Sequence, residues 1–378
     1  LVKRVAEGHL SYLSVSSIAA EPWLRGYGAK LDEVRNECVA LGPRVVRKIK
    51  LASDRPPCGY NAFPYEGTVL YVTRHNELVQ ETDIEWEQLR GLQQALAKLW
   101  AIEKLPEPSP YLAVLVADGD AMGSAISNLK DEEANRLFSR KLAQFGREAK
   151  KIVNNHYGEL VYAGGDDVLA FLPVDQCLPC ARQLRDTFVE LLKEFPNEQG
   201  KSPTLSAGIA IAHFMDSLED LLQYGRAAEK AAKAVEGKDA LAVHLHKRGG
   251  APILVRGPWS QDLDHRLTNY ADLLRSEAIP GKLPYDLRKL ADVYANWPPG
   301  ENLSEAIRRD VVRVIRDKQP PAGKRHMKQI EQLAGSQFTD AESLKRFAES
   351  LLVAKQVADA KQQANEQLPK QYAEEQST

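Results

Sequence analysis

Apolar residues run almost unbroken through Tyr111-Leu112-Ala113-Val114-Leu115-Val116-Ala117, the pattern of a strand buried on both faces. Two further β-prone runs, Leu160 to Ala163 and Val168 to Leu172, flank Gly164-Gly165-Asp166-Asp167 and predict a hairpin with acids at its turn. Between the first strand and the hairpin, Asp131 to about Asn154 is polar and helical. Asp175 to Phe195 repeats apolar residues at Leu178, Ala181, Leu184, Phe188, Leu191 and Leu192, a helical spacing. Thr204 to Ala212 predicts a strand, Leu218 to Val235 an Ala-rich helix, and Ala240 to Leu245 a last strand. The order strand, helix, hairpin, helix, strand, helix, strand predicts an α+β domain. Its mostly antiparallel sheet carries helices on one face, as in ferredoxin-like folds.

The flanks read differently. In residues 1–105, a mixed α/β region, Ser16 to Leu24 looks like a capped helix start. Lys30 to Leu41 has helical spacing at Leu31, Val34, Cys38 and Leu41, and Gly42-Pro43 stops it. Thr68 to Thr73 predicts a strand and Trp86 to Ile102 an amphipathic helix. Leu105-Pro106-Glu107-Pro108-Ser109-Pro110 is a stiff linker, so a domain boundary is expected there and a second unit over 106–250. Residues 251–361 predict a helical domain, with helices at Trp259 to Ile279, Tyr285 to Trp297, Leu303 to Asp317 and Ala341 to about Lys361. Pro298-Pro299-Gly300 and Pro320-Pro321-Ala322-Gly323 punctuate them. The Gln- and Glu-rich end, 362–378, predicts a disordered tail.

Charged residues make up 27% of the 378, and the net charge is -2, so nucleic acid would have to be met by local patches. Arg44, Arg47, Lys48 and Lys50 form one such cluster, readable as an RNA-backbone contact or as a solvated helix face. Arg308-Arg309 and Lys324-Arg325-His326-Lys328 carry the same two readings. Four cysteines without a disulfide framework suit a reducing cytoplasm. Cys177-Leu178-Pro179-Cys180 has knuckle spacing but opens a predicted helix, where apolar-face cysteines are the plainer reading. No apolar run reaches a membrane span, and Leu1 to Val5 is not a signal peptide. Beginning without Met, the chain is expected to start inside a longer product.

Chemistry concentrates at the ends of the central strands. Gly164-Gly165-Asp166-Asp167 alone also fits an ordinary glycine turn with solvated aspartates. The topology, however, brings Asp118, at the end of the first strand, beside the hairpin. Three converging carboxylates repel each other without a cation, so Asp118, Asp166 and Asp167 are the candidate Mg²⁺ or Mn²⁺ ligands and catalytic residues. Gly164 and Gly165 allow close approach of backbone or phosphate. The loop Gly119-Asp120-Ala121-Met122-Gly123 leads from strand to helix, and its N–H groups are suited to cradle a triphosphate. Lys233 and Lys238 either offset phosphate charge or are ordinary surface lysines.

Ala117-Asp118-Gly119-Asp120-Ala121-Met122-Gly123 followed by Tyr162-Ala163-Gly164-Gly165-Asp166-Asp167-Val168-Leu169-Ala170 resembles the palm of the large subunit of type III CRISPR effector complexes, most closely the Cmr type (III-B). The likeness continues through Ser206 to His213, Ala231 to Ala234 and His246 to Gly250, and includes Ser16 to Leu24 and Phe63 to Gly67. It implies an ATP-dependent nucleotidyltransferase making cyclic oligoadenylates, activated by target RNA within a guide-RNA complex of several subunits. It implies Asp118, Asp166 and Asp167 as metal ligands and Ser206 near the base. Asp120 belongs to the nucleotide loop or caps the following helix. Relatives often carry an HD nuclease. This sequence has no His-Asp dipeptide, and Asp264-His265 reads as a helix-surface pair, so no DNA cleavage by this chain is expected. Two other readings compete. A GGDEF-type cyclic dinucleotide synthase usually has Glu-Phe where Asp167-Val168 stands, and a non-catalytic ATP-binding scaffold would not need three intact acids.

Overall fold

The computed structural model describes residues 9–10, 12–51, 55–298, 301–318 and 338–368. At its centre is β3 (Tyr111–Asp120), the run of apolar residues noted above. It pairs antiparallel with β5 (Asp167–Leu172) on one side and β6 (Thr204–His213) on the other. The short strands β1 (His9–Leu10) and β2 (Lys48–Ile49) form a separate two-stranded sheet, and the large sheet has the order β4-β5-β3-β6-β7-β8. Here β4 is Glu159–Gly164, β7 is Ala240–Leu245 and β8 is Ile253–Pro258. The two short strands pair parallel; in the large sheet, among the described residues, only β6 and β7 do, the crossover being helix α9 (Leu218–Lys233).

The α+β class holds, with two corrections to the expected sheet. First, a sixth strand follows β7. The alternation Ile253-Leu254-Val255-Arg256, buried-exposed-buried-exposed, is a half-buried strand's signature and pairs antiparallel with β7. Second, helices cover both faces. Ala113, Leu115 and Ala117 join Ile209 and Ile211 against α7 (Glu132–Asn155) and α8 (Cys177–Leu192), through Phe145 and Phe188. Leu112 and Val114 join Ala210 and Ala212 against Leu221 of α9 and the N-terminal region, including Trp23 and Leu24. A strand with both faces buried gains about 1.5–3 kcal/mol per large aliphatic side chain, which accounts for its continuous apolar run.

In the N-terminal region, α1 (Val15–Tyr27) is capped by Ser14, whose side chain accepts from Ser17 N. Helix α2 (Asp32–Leu41) stops at Gly42, with φ +79°. The basic cluster at 44–50 is not a helix: it runs through β2, with Val45, Val46 and Ile49 buried. The one-turn α3 (Gly59–Ala62), α4 (His75–Thr82) and α5 (Arg90–Ala101) complete the region. The expected strand at Thr68–Thr73 is instead two 3₁₀ turns, Gly67–Leu70 and Val72–Arg74. Here α1 overrides β propensity. Gly67 N donates to Ser17 Oγ at 2.9 Å, and a Cβ on Gly67 would fall 2.7 Å from Ser17 Cα. Val69 O is held by His75 Nε2 at 3.0 Å, so the carbonyl is taken by a side chain.

The C-terminal helices α10 (Leu263–Arg275), α11 (Leu283–Tyr294), α12 (Glu301–Lys318) and α13 (Ala341–Gln363) fall close to their expected positions. They share one continuous core with α7 and α8, through Leu267, Leu287, Ile307 and Leu351. Asp264 is not a surface residue. It is buried, and the Arg182 guanidinium grips both its oxygens while lying over the Trp259 ring, 4.7 Å from the centroid. Its carboxylate is thereby committed to structure. Cys177 and Cys180 are buried free thiols in the first turn of α8, and burial pushes both up. The run Pro320 to Gly323, the basic cluster 324–328 and residues 369–378 lie outside the described residues. Before them, Gln363 ends α13 and Glu366 accepts from Gln176 Nε2 at 3.1 Å. No helix among the described residues is long and apolar enough to cross a membrane.

Arg25 ties three regions together. Its guanidinium meets Glu21 of α1 at 2.7 Å and Asp175, just beyond β5, at 2.5 Å, with Glu366 at 3.7 Å. Helix α9 is seated by an absence. Gly208 of β6 lies directly beneath it, where a Cβ would come 1.9 Å from Glu229 N. Gly225 of α9 completes the fit, since a Cβ there would meet Val116 Cγ2 at 2.8 Å.

Candidate metal and nucleotide site

The β4–β5 turn is a two-residue loop, Gly165-Asp166, closing between the paired residues Gly164 and Asp167. Its first position, Gly165, has φ +66°, which glycine accepts without a Cβ penalty. The β3–β5 pairing ends at Ala117↔Val168. One step further, Asp118 and Asp167 stand side by side on neighbouring strands. Asp166 folds over Gly119, where a Cβ would fall 2.8 Å from Asp166 Cβ and 2.9 Å from Met122 Cγ. Gly119 is thus the residue that lets the hairpin tip reach β3. Asp118, Asp166 and Asp167 each offer an oxygen within 4.8 Å of the others.

The electrostatics fit a cation. Burial raises the Asp166 carboxyl above the ordinary range, and the Asp167 charge adds to the rise; Asp166's own backbone N–H pulls the other way. Lys233, at the last turn of α9, engages Asp118 directly and lies 3.7 Å from Glu229. Burial, and then Lys238, hold the Lys233 ammonium below its usual value. Glu229 is raised by burial, then by Asp167 and Asp120. An ammonium already sits where the carboxylates need positive charge, so the donor set suits a hard divalent ion with oxygen ligands.

Not every expected residue faces this tip. Asp120 is buried and points into the sheet. Its Oδ2 accepts from Ser206 Oγ at 2.7 Å, Thr204 Oγ1 at 3.1 Å and Asp239 N at 3.1 Å. It neither caps α6 (Met122–Ser127) nor opens to a nucleotide, and α6 has no side-chain cap. Ser206 is likewise fully buried, spent on Asp120 rather than standing beside a base. Met122 packs under Gly119, and Gly123 is exposed with open space around its α-carbon. Ala121 turns the chain into α6 at φ +61°, a left-handed conformation that side chains disfavour. The first-turn N–H groups of α6 are of the kind a helix leaves without internal partners. Gly164 lies beside the Tyr162 ring, where a Cβ would meet the hydroxyl at 2.0 Å. Lys238 is exposed in the α9–β7 turn at φ +54°.

The structure adds residues that the sequence reading passed over. A cavity of about 700 Å³ opens from Asp118 and Asp167 across the α9 face of the sheet. Val116, Val168 and Leu169 line it from the strands, with Leu222, Arg226, Glu229, Lys230 and Lys233 from α9 and Tyr162 from β4. The signal was present as Arg226, Lys230 and Lys233 at i, i+4 and i+7, one face of a helix. Without knowing which face of α9 met the sheet, that spacing could not be told from a solvated stripe.

Residues 111–242 match the family described as Cas10/Cmr2, second palm domain. The CRISPR system Cmr subunit Cmr2 of Pyrococcus furiosus is 32% identical over 250 residues, which are 57% of this chain and 27% of that protein. The chain therefore spans about a quarter of the length of this curated relative. Among solved structures, the apo type III-B Cmr-beta complex matches a chain with TM-score 0.48 at 14% identity, covering 79% of this chain and 42% of that one. Csm1 of T. onnurineus matches with TM-score 0.43 at 16% identity, over 66% and 38%. The GGEEF domain of a Vibrio cholerae diguanylate cyclase matches with TM-score 0.27 at 18% identity, over 37% and 85%.

Proposed function

We propose, from the match of residues 111–242 to the Cas10/Cmr2 second palm domain family, that this chain is the nucleotidyltransferase part of a type III CRISPR complex and joins ATP into cyclic oligoadenylates. One observation carries the reading: Asp118, Asp166 and Asp167 converge within 4.8 Å at the mouth of a cavity of about 700 Å³, a size suited to a small-molecule ligand. These three residues would hold Mg²⁺ or Mn²⁺, which when bound neutralises phosphate charge and acidifies the attacking hydroxyl.

The chain's own groups do the positioning. Asp118 and Asp167, fixed by strand register, set one side of the site. Asp166, held over Gly119, sets the other. Backbone N–H groups at the start of α6 receive the triphosphate. Lys233, engaged with Asp118 in the free chain, is within reach of a phosphate oxygen once Asp118 turns to its ligand role. In each step the 3′-oxygen bonds to the α-phosphorus, the bridging bond to the β-phosphate breaks, and pyrophosphate leaves with the electron pair. The hydroxyl proton passes to water. The partners are other Cmr-type subunits, guide RNA and target RNA, in keeping with the Cmr2 relative.

The test is product analysis. The chain, assembled with its complex and target RNA, is given ATP with Mg²⁺ or Mn²⁺; a ladder of oligoadenylates is expected, and chelation should stop it. Asp166→Ala with Asp167→Ala should lower turnover on the order of 10²–10³-fold while assembly persists. Full product formation by that variant sinks the site. A dinucleotide made only from GTP sinks the oligoadenylate reading, and ATP binding without turnover in the complete complex supports a scaffold.

A further inference from the structure

The large sheet ends at β8, and α10 and α13 pack against that strand without closing the space beside it. A hollow of about 440 Å³ remains there. Its apolar lining is Val255, Leu263, Tyr270 and Phe347, all buried, with the two rings edge to face at 5.7 Å. Its charged lining comes from three elements: Arg256 of β8, Arg266 of α10, and Arg346 of α13 with Glu342 and Glu349. Ser350 Oγ donates to Arg346 O at 2.8 Å and Ser343 Oγ to Asp340 O at 2.7 Å, so neither hydroxyl proton is free for a ligand. Arg256 gives one N–H to Ala231 O, 3.3 Å away in the last turn of α9. Arg266 and Arg346 make no side-chain hydrogen bond and no ion pair among the described residues.

Arg266 Nε is buried with no acceptor. Arg35, Arg74 and Arg275 bury the same atom, but each is tied to a carboxylate through a terminal nitrogen. The acids of the hollow do not answer Arg266. Glu342 is exposed. Burial raises the Glu349 carboxyl, and Lys345, then Arg288, pull it back; neither of those cations lines the hollow. A buried N–H keeps its desolvation cost until an acceptor arrives. One guanidinium fork satisfies a planar carboxylate. Three guanidiniums around one hollow suit a group with more oxygens and more charge, which is a phosphate or pyrophosphate. The volume is that of a small-molecule site.

We propose that the hollow between β8, α10 and α13 is an anion site that binds a phosphate or pyrophosphate group through Arg256, Arg266 and Arg346. None of its residues belongs to the acidic tip or to the cavity that opens from it. The site therefore stands whether or not the nucleotidyltransferase reading does. A free pyrophosphate and the 5′ end of a short RNA present the same chemistry to the three guanidiniums, and binding measurements tell the two sources apart.

The experiment is titration calorimetry on the full chain, in EDTA and at constant ionic strength. The ligands are inorganic pyrophosphate, hexa-adenylate with a 5′ phosphate, hexa-adenylate with a 5′ hydroxyl, and malonate as a carboxylate of similar charge. Wild type should bind pyrophosphate saturably, and Asp166→Ala with Asp167→Ala should bind it equally well. Arg266→Ala with Arg346→Ala should weaken it by about 10-fold or more. Arg266→Lys with Arg346→Lys keeps charge and loses the fork, so its affinity should fall between the two, a grading that a damaged fold would not give. If the source is RNA, the 5′-phosphorylated oligomer binds more tightly than pyrophosphate and its 5′-hydroxyl twin does not, with the same ranking of variants. Unchanged affinity in the alanine pair, no binding of either phosphate ligand by wild type, or malonate bound as tightly as pyrophosphate overturns the site.

Discussion

Asp120 carries three donors on one oxygen, and its other oxygen is buried without a partner. Burial pushes its carboxyl up; the Ser206 hydroxyl, the Asp239 N–H and the Thr204 hydroxyl pull it back. Ser206→Ala removes the shortest of these bonds and leaves a buried carboxylate short of a donor. A loss of about 1–3 kcal/mol in urea unfolding is expected, with the KM for ATP little changed. A base-contacting Ser206 would give the reverse, a raised KM at unaltered stability. Asp118 and the hairpin acids were legible because strand ends and glycine turns announce themselves in sequence. Asp120, two residues after Asp118, looked like part of the same cluster. Only the register Asp118↔Ser206 and Asp120↔Thr204 reveals the hydroxyls that claim it.

Helix α9 delivers Lys233, Glu229 and the cavity's cations, and its height above the sheet is set where Gly208 and Gly225 omit side chains. Gly208→Ala must lift the helix backbone, since no flexible side-chain end is available to yield. Destabilisation of about 1–3 kcal/mol is expected, and the Lys233–Asp118 contact should open. Thermal unfolding with product analysis checks this: turnover should fall further than the loss of folded chain explains. Strong periodicity made α7, α8 and α13 readable from sequence. Strand β8 escaped because its alternation is short and lies between Gly249-Gly250 and Pro258. Thr68 to Thr73 had strand composition, but no strand among the described residues pairs with it, a tertiary fact.

Across the whole molecule, the sheet's two faces are finished by different flanks, one by the N-terminal region and the other by the C-terminal helices. The Arg25 node fastens both flanks to the large sheet. Burial pushes Glu21 to about 7, and Glu366 likewise to about 7, from ordinary values near 4.5. Both are acids raised in the folded state, so the folded chain binds more protons than the unfolded one between those values. Their contribution is complete below about pH 4.5 and is lost as pH rises through 7. Unfolding free energy, followed against pH across that window, should carry a falling component on the order of 1–3 kcal/mol that Glu21→Gln reduces. Unaltered pH dependence in Glu21→Gln would show that Glu21 is not the proton carrier. The Pro-rich stretch at Leu105 to Pro110 reads in sequence as a boundary, yet one core spans it, and charges meeting across 150 residues, as Arg25 and Asp175 do, leave no local mark.

The central position of β3 also has a consequence in time. It is the first strand of the large sheet to be synthesised, and both of its neighbours come later: β5 begins at residue 167 and β6 at 204. At ordinary translation speeds the second neighbour follows after roughly 5–20 s. Throughout that interval a nearly uncharged, β-prone segment has at least one bare edge. The strand that will carry Asp118 is therefore an aggregation risk in the nascent chain, and the three carboxylates cannot converge until the ribosome has passed the hairpin.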